Sequence, residues 1–442
     1  MKPTALDRRK MEAIVKESDE GKQLFDYMGR KLVRLRGHGG TGKTIMLLQS
    51  AYKAFERRGE RTLVLTYNHA LAADIRRLIA LLRVPSNPEE GGIKVSTVMS
   101  YMNYWFSRLG IIGSGDEVSY DDYENNLATA IELISGGAIE QQDIERIVRN
   151  EPDLFEFHNV IVDEAQDWPQ GEVELLKHLF RPSNIALADG IDQVIRKSTP
   201  NWGDGTDASL QVTIPLVKGL RMKRNLSLFI KEVAEKAGFN WDIKPNDNAG
   251  GGRIIIIVGT YSNNLNLHED LLAQAKKSGN SELDFLFCVP FQDVFMKAGK
   301  KHSVLGQALV NVGYEVWNGV DVSTRTDFPR SVWQYRIVQY ASCRGLEGWT
   351  VVLEKADLQW KNFVESRRAE GLTGEQELVF EGLDEISNRD AWRKMLIAFT
   401  RPIDTLVITL ENKNSLFSEW LLDLVKECGP YAQVLETQDE SR

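Results

Sequence analysis

A short stretch near the N-terminus has the residue types and spacing that bind a nucleotide phosphate. Residues 37–44 read GHGGTGKT and fit the pattern GxxxxGK[ST]. Glycines let backbone N–H groups turn inward around phosphate oxygens, and a following helix adds the partial positive charge of its N-terminus. Lys43 would reach the β- and γ-phosphates, and the Thr44 hydroxyl would bind Mg²⁺. The residues assigned to this loop are Gly37, Gly39, Gly40, Thr41, Gly42, Lys43 and Thr44. An ordinary glycine-rich turn is the alternative interpretation.

A pair of acidic residues could complete this chemistry. Asp163 and Glu164 follow the apolar run at 158–162 directly. A phosphate-loop enzyme needs one carboxylate for Mg²⁺ and another that activates the attacking water. Adjacent residues at a strand end meet both needs, so we assign Asp163 to the metal with Thr44, and Glu164 to catalysis. By itself, an acidic string of this kind is also typical of a solvated turn.

The elements that must position these residues follow a strand–turn–helix pattern. Apolar segments predict strands near 31–37, 61–66, 158–162, 184–190, 252–259, 283–290, 336–342, 349–354 and 404–410. Strands that alternate with helices form parallel sheets covered on both faces. We therefore predict an α/β protein of two tandem domains, residues 1–212 and 213–442, with a short insertion at about 106–157 in the first.

Composition limits the classes of function. The 442 residues are 42% apolar and 26% charged, which is typical of a soluble multidomain protein. No apolar run is long enough to cross a bilayer and no signal peptide is evident, so we expect a cytoplasmic location and no membrane partner. The three cysteines are far apart, which argues against a disulfide framework or a structural zinc site. The net charge of −9 restricts any nucleic-acid path to a local basic surface.

Several segments in chain order resemble the UvrD/Rep/PcrA-type superfamily 1 (1A) helicases, in a reduced form with shortened insertion subdomains. The resemblance rests on the phosphate loop, on DEAQD (163–167), and on TYNHALAADI (66–75), VSTVMSYMNYWF (95–106), ADGIDQVI (188–195), LRMKRNLSLFI (220–230), YASCRGLEGWTVV (340–352) and LIAFTRPIDTLVI (396–408). It implies two RecA-like domains and an ATP hydrolase that uses Mg²⁺ and moves 3′ to 5′ along single-stranded nucleic acid, with DNA favoured over RNA.

The resemblance also implies roles for residues in the later segments. Gln193 would sense the γ-phosphate, Glu347 would contact the nucleotide, and Arg224 and Arg401 would act as arginine fingers. A guanidinium beside the γ-phosphate stabilises the charge of the transition state, an effect of about 10³–10⁵ in rate. Because both arginines fall in the second domain, we expect hydrolysis to require closure of the two domains.

Nucleic-acid contacts are expected from a set of residues in the same segments. The set assigned to them is Tyr67, His69, Thr97, Trp202 and Ser342. Trp202 enters because Arg196 and Ser198 stand where the family carries a base-stacking aromatic residue. Tyr101, Tyr104 and Trp105 are further stacking candidates, for which core packing is the alternative. His38 is expected to face solvent without a ligand role, and Trp168 to pack.

The departures from the family leave a second class of function open. The adenine-stacking aromatic residue is replaced by Lys223, and the histidine of the TxHS segment by Met99. The chain could therefore be a nucleotide-dependent switch, a regulatory ATPase subunit of a nuclease, DNA-repair or anti-phage complex, with a protein partner such as a nuclease subunit. A phosphate-loop kinase or signalling NTPase explains neither DEAQD nor the two arginine segments.

Overall fold

The structure is a computed structural model that describes residues 2–16, 18–85, 89–113, 120–191, 200–372 and 380–436. The chain divides into two compact units. The first unit comprises Arg9–Gly37 and Lys43–Leu216, and the second comprises Met1–Arg8, His38–Gly42 and Val217–Arg442. Within the phosphate loop, residues His38–Gly42 thus belong to the second unit.

The first unit is built around a six-stranded sheet. Its strands are β1 (Leu32–Gly37), β2 (Arg61–Thr66), β3 (Gly92–Thr97), β4 (Asn159–Val162), β5 (Ile185–Gly190) and β6 (Gln211–Leu216). They run parallel in the order β3-β2-β4-β5-β1-β6. Successive residues point to opposite faces of a strand, and every residue of β2 and β4 is buried. Both faces of this sheet are therefore covered.

Within the part of the chain that the structure describes, nine helices lie wholly or partly in the first unit. They are α1 (Ala5–Val15), α2 (Asp19–Tyr27), α3 (Lys43–Arg58), α4 (His69–Leu81), α5 (Val98–Arg108), α6 (Tyr120–Ser135), α7 (Gln141–Asn150), α8 (Pro152–Phe155) and α9 (Gln170–Leu179). The predicted insertion at 106–157 forms α6, α7 and α8, whose apolar residues join the same core as α5 and β4. It is a helical extension of the first unit's core.

The second unit is built around a seven-stranded sheet with an attached hairpin. Its strands are β7 (Arg253–Val258), β8 (Phe285–Val289), β9 (Val294–Lys297), β10 (Lys300–Ser303), β11 (Glu315–Asn318), β12 (Gln334–Gln339), β13 (Gly348–Leu353), β14 (Pro402–Leu410) and β15 (Ala432–Glu436). The large sheet is parallel, in the order β11-β12-β8-β13-β14-β7-β15, and β9 pairs with β10 antiparallel.

Helices also flank the second sheet. They are α10 (Arg224–Lys236), α11 (Leu265–Lys277), α12 (Val304–Asn311), α13 (Val322–Arg325), α14 (Ala356–Leu372), α15 (Phe380–Phe399) and α16 (Leu416–Glu427). Two parallel sheets flanked by helices confirm the predicted α/β class. None of the helices within the described ranges combines the length and hydrophobicity of a bilayer span.

The strand β6 lies across the predicted boundary between residues 212 and 213. It pairs with β1 along its whole length, from Gln211 to Leu216. The sequence around it is rich in glycine and polar residues, which obscured the strand pattern. Pairing with β1, which is distant in sequence, is what makes this segment part of the first sheet.

Candidate active site

The phosphate loop connects β1, which ends at Gly37, to α3, which begins at Lys43. Gly40 and Gly42 have φ angles of 85° and 86°. This left-handed region is strained for residues with a Cβ and accessible to glycine. The two glycines therefore let the chain turn from the end of β1 into the helix, as the sequence pattern requires.

The side chain of Lys43 lies back along this loop. It is 8% exposed, and its Nζ donates a hydrogen bond to the Gly37 carbonyl oxygen at 2.7 Å. That interaction holds the ammonium group at the carboxyl end of β1, beside the first turn of α3. A phosphate would offer the ammonium group charged oxygen acceptors, which form stronger hydrogen bonds than a neutral carbonyl.

Thr44 and Asp163 come together at the carboxyl edge of the first sheet. The Thr44 hydroxyl donates to Asp163 Oδ1 at 3.3 Å, and Asp163 is buried. Within the described residues no cluster of three or more His, Cys, Asp or Glu side chains could hold a metal. A hydroxyl and one carboxylate nevertheless fit Mg²⁺, which keeps several waters and binds through one or two carboxylates plus substrate phosphates.

Glu164 is held in an unusual backbone conformation next to Asp163. Its φ and ψ angles are 51° and 46°, in the left-handed region that few non-glycine residues occupy. Gln166 Nε2 donates to Glu164 Oε2 at 2.8 Å, and the Gly190 N–H donates to Gln166 Oε1 at 2.7 Å. Gln166 thus links the acidic turn after β4 to the end of β5. It was not assigned a role from the sequence, although it lies within DEAQD.

Two tryptophans donate hydrogen bonds to the backbone of the same turn. Trp168 Nε1 donates to the Asp163 carbonyl oxygen at 3.3 Å, and Trp202 Nε1 donates to the Ala165 carbonyl oxygen at 2.9 Å. Their ring centroids are 5.4 Å apart in an edge-on arrangement. Trp168 packs as expected. Trp202 is 2% exposed, so in this structure its ring supports the acidic turn and is not accessible to a base.

Asp189 is a further acidic residue at this edge that the sequence reasoning missed. It lies near the end of β5 and pairs in register with Arg36 of β1. Burial raises its pKa, and the nearby Arg34 and Arg36, with side-chain nitrogens 3.9 and 4.0 Å from Asp189 Oδ2, oppose that rise. An acid at the end of a second apolar strand was the signal that could have identified it.

The two arginines predicted as fingers have different environments in the second unit. Arg224 is the first residue of α10, and its side chain is exposed. Arg401 is 2% exposed; it donates through Nε to the Ile397 carbonyl oxygen at 2.7 Å and through Nη2 to the Thr400 hydroxyl at 2.9 Å. A third, longer contact reaches the Leu346 carbonyl oxygen at 3.4 Å. In this structure the Arg401 guanidinium therefore orders the backbone around it.

Glu347 is bound by an arginine that was not assigned from the sequence. Arg221 Nε lies 2.7 Å from Glu347 Oε2, and Arg221 Nη1 donates to the Thr400 carbonyl oxygen at 3.1 Å. Within the same unit, the backbone N–H groups of Leu220 and Arg221 donate to the Gly40 carbonyl oxygen at 2.9 and 3.1 Å. Arg221 thus connects a phosphate-loop glycine to Glu347.

The expectation that His38 faces solvent is wrong. His38 is 3% exposed, its Nε2 lies 2.9 Å from Asp242 Oδ1, and its ring packs on Trp241 with centroids 4.8 Å apart. A loop residue between glycines gives no local sign of burial. Contacts with residues about two hundred positions later decide it.

The residues predicted to contact nucleic acid differ from one another in exposure and in their hydrogen-bond partners. Tyr67 is half-buried and hydrogen-bonds the Glu172 carboxylate, whereas His69 is exposed at the start of α4. Thr97 is buried and caps α5, and Ser342 accepts a hydrogen bond from Arg325 at 2.7 Å. Of the other aromatic candidates, Tyr101 and Trp105 lie in the core and Tyr104 is 47% exposed. Gln193, Arg196 and Ser198 lie outside the described residues.

No protein-family model and no curated protein matches the sequence. Among solved structures, the chain is similar to one titled "The structure of PRRSV helicase", with a TM-score of 0.35 and 11% sequence identity. The match covers 90% of this chain and 56% of that chain, so this chain spans little more than half of that chain's length.

Proposed function

We propose that the protein is a Mg²⁺-dependent ATPase that works as a superfamily 1 helicase or translocase on single-stranded nucleic acid, with DNA favoured over RNA. The observation that supports it best is the proximity of the Thr44 hydroxyl and the Asp163 carboxylate, 3.3 Å apart, beside Glu164. The 3′-to-5′ direction is carried over from the family resemblance alone.

The residues of the first unit fit the steps of phosphoryl transfer to water. Thr44 and Asp163 would hold Mg²⁺, which would neutralise the negative charge that develops on the phosphates during the transfer. The Lys43 ammonium group would give up its hydrogen bond to the Gly37 carbonyl oxygen and bind phosphate oxygens instead. Glu164 would accept the proton of the attacking water, and Gln166 would keep the Glu164 carboxylate oriented through its own anchor on Gly190.

Of the two predicted fingers, Arg224 has the more suitable environment. A finger must reach the γ-phosphate, and the exposed side chain of Arg224 is able to reorient. Arg401 would first have to leave its contacts with Ile397 and Thr400. We therefore propose that Arg401 positions the segment around it and that Arg224 supplies the finger.

A second candidate function is a nucleotide-dependent switch or regulatory ATPase subunit. The observation that favours it is the burial of Trp202, whose predicted stacking role would require an accessible ring. Base stacking contributes about 1–3 kcal/mol per base, so its loss weakens the grip on a single strand. Such a subunit would respond to a protein partner, for example a nuclease.

Steady-state ATP hydrolysis with and without single-stranded DNA or RNA tests both functions. A motor is expected to hydrolyse ATP many times faster when nucleic acid is added, and a switch is expected to be insensitive to it. Lys43→Ala and Glu164→Gln serve as site controls. If both variants hydrolyse ATP as fast as the parent protein, the assignment of this site is wrong.

A further inference from the structure

The hairpin formed by β9 and β10 carries a surface that neither the nucleotide site nor the core explains. In its sequence, VFMKAGKKHS at 294–303, three lysines accompany no acidic residue, in a chain whose net charge is −9. Phe295 is 37% exposed and Met296 is 63% exposed. Single exposed apolar residues are common on protein surfaces, whereas two adjacent ones among lysines form a mixed apolar and basic patch.

The pairing register places Phe295, His302 and two of the three lysines on one face of the hairpin, whereas Met296 pairs with Lys301 on the other face. Phe295 pairs with His302, and Lys297 pairs with Lys300. Directly paired residues share a face of a ribbon, as do residues two positions apart. The ring centroids of Phe295 and His302 lie 6.0 Å apart with planes inclined by 28°. We call these four residues, Phe295, Lys297, Lys300 and His302, the hairpin face.

Two lysines directly opposite each other repel and destabilise the pair of strands. Lys297 and Lys300 occupy such positions beside the two-residue turn, and Lys297 Nζ contacts Gln307 Oε1 at 3.0 Å. Lysines are common on exposed strand edges, where they prevent aggregation. That role accounts for the lysines but leaves the exposed Phe295 and Met296 unexplained.

A cavity of about 330 Å³ continues the hairpin face from Lys300. Its lining includes Trp317, Asn318, Asp327, Phe328 and Arg330. Lys300 and Arg330 give the lining two basic residues against one acidic residue, Asp327, and the nearby Asp321 carboxylate interacts electrostatically with Lys300. The cavity is held in place because Asn318 Nδ2 donates to the Lys301 carbonyl oxygen at 2.6 Å and the Lys301 N–H donates to Asp321 Oδ2 at 2.9 Å.

We propose that the hairpin face and this cavity bind single-stranded nucleic acid: a base stacks on Phe295 and backbone phosphates contact Lys297, Lys300 and Arg330. Proteins that grip single strands combine a positively charged track with aromatic rings on which bases stack. The inference deepens the proposed function, since it locates a nucleic-acid contact within the second unit.

Fluorescence anisotropy with labelled oligothymidylate and oligouridylate, on the full chain, tests the proposal. Phe295→Ala is expected to weaken binding about tenfold, and Phe295→Trp to preserve it. Lys297→Ala combined with Lys300→Ala is expected to reduce the slope of log K against log salt by about 1.4, because each phosphate contact on a single strand contributes about 0.7. The two oligonucleotides separate DNA from RNA as the preferred strand.

Matched controls are available elsewhere on the second unit. Leu416→Ala removes a side chain that is 78% exposed, and Lys361→Ala with Lys426→Ala removes two exposed positive charges. Both controls should bind like the parent protein. If the hairpin variants also bind like the parent, with an unchanged salt slope, this inference is wrong while the proposed function stands. If the parent binds neither oligonucleotide, both are overturned.

Discussion

Gln166 holds the carboxylate of Glu164 through a hydrogen bond of 2.8 Å, and Gln166 is itself anchored by the backbone N–H of Gly190 at 2.7 Å. The two residues are separated by one position in the chain, but the anchor lies on a different strand, β5. A side chain that accepts on one end and donates on the other fixes the orientation of the carboxylate. Glu164 is thus positioned by the neighbouring strand as well as by its own strained turn.

Replacing Gln166 tests this relationship. We expect Gln166→Leu to lower kcat for ATP hydrolysis by about 10²-fold, because a misplacement of roughly 1 Å costs about that much. KM for ATP should change little, since the hydrogen bonds of Gln166 orient Glu164, which is assigned to catalysis and not to phosphate binding. Gln170→Leu, at the exposed start of α9, is the control. Equal kcat values for the two variants would contradict the positioning role.

The pair Thr44 and Asp163 predicts a dependence on Mg²⁺. Thr44→Val keeps the shape of the side chain and removes its hydroxyl, whereas Thr44→Ser keeps the hydroxyl. We expect the Mg²⁺ concentration for half-maximal ATP hydrolysis to rise about tenfold in Thr44→Val and to stay near the parent value in Thr44→Ser. A titration of activity against Mg²⁺ measures both. A similar shift in the two variants would argue against a hydroxyl ligand.

The contrasting environments of Arg401 and Arg224 predict opposite effects on stability and activity. Arg401→Ala removes a buried guanidinium and leaves the Ile397 carbonyl oxygen and the Thr400 hydroxyl without this donor. We expect its free energy of unfolding to fall by about 3 kcal/mol. Arg224→Ala, at an exposed position, should leave that free energy within about 0.5 kcal/mol of the parent but abolish most ATP hydrolysis.

Urea unfolding and steady-state kinetics distinguish these outcomes. Lys231→Ala, at another exposed position on α10, is the control for Arg224. A stable Arg401→Ala protein that hydrolyses no ATP would restore Arg401 as the finger. An active Arg224→Ala protein would remove Arg224 from that role.

The buried hydrogen bond of the Trp202 indole leads us to expect that this side chain stabilises the fold. Trp202→Phe keeps most of the ring but loses the hydrogen bond to the Ala165 carbonyl oxygen, so we expect the free energy of unfolding to fall by about 1–3 kcal/mol. The matched variant Trp333→Phe lies at a position that is 63% exposed and should unfold like the parent. Binding of single-stranded DNA should be equal in both variants. If Trp202→Phe alone lost binding of single-stranded DNA without losing stability, the result would support base stacking by Trp202.

Glu354 predicts a dependence of stability on pH. Its carboxylate accepts from the Thr409 hydroxyl at 3.0 Å, and burial raises its pKa from 4.5 to about 7. Because the folded protein binds this proton more tightly than the unfolded chain, the stabilisation is complete below about pH 4.5 and is lost as pH rises to about 7. Over that window, the parent should lose roughly 3 kcal/mol relative to Glu354→Gln.

Urea unfolding at several pH values measures this difference. Burial also raises the pKa of Asp284, to about 6, so the parent alone does not isolate Glu354. The comparison of the parent with Glu354→Gln isolates the contribution of Glu354, because Asp284 is present in both proteins. Glu315→Gln, on the exposed side of β11, is the control and should follow the parent curve. Parallel curves for the parent and Glu354→Gln would show that the buried carboxyl is not protonated in the folded state.

The sequence by itself determined the α/β class and the order of most strands and helices. Alternation of short apolar segments with amphipathic ones reports local structure, because side chains repeat every two residues in a strand and every 3.6 in a helix. Glycines at 40 and 42 likewise indicated a turn that only residues lacking a Cβ adopt without strain. The short edge strand β15 and the strand β6 escaped this reasoning because their sequences are polar or broken by proline and glycine.

Only the tertiary structure decided which polar groups meet. Gln166 reaches Gly190, Trp202 reaches Ala165, Arg221 reaches Glu347, and His38 reaches Asp242. Each of these contacts joins residues that are tens to hundreds of positions apart, and each depends on how strands are ordered and loops are packed. A periodic pattern carries no information about such pairs, so burial and hydrogen bonding at the site follow from the three-dimensional arrangement of the chain.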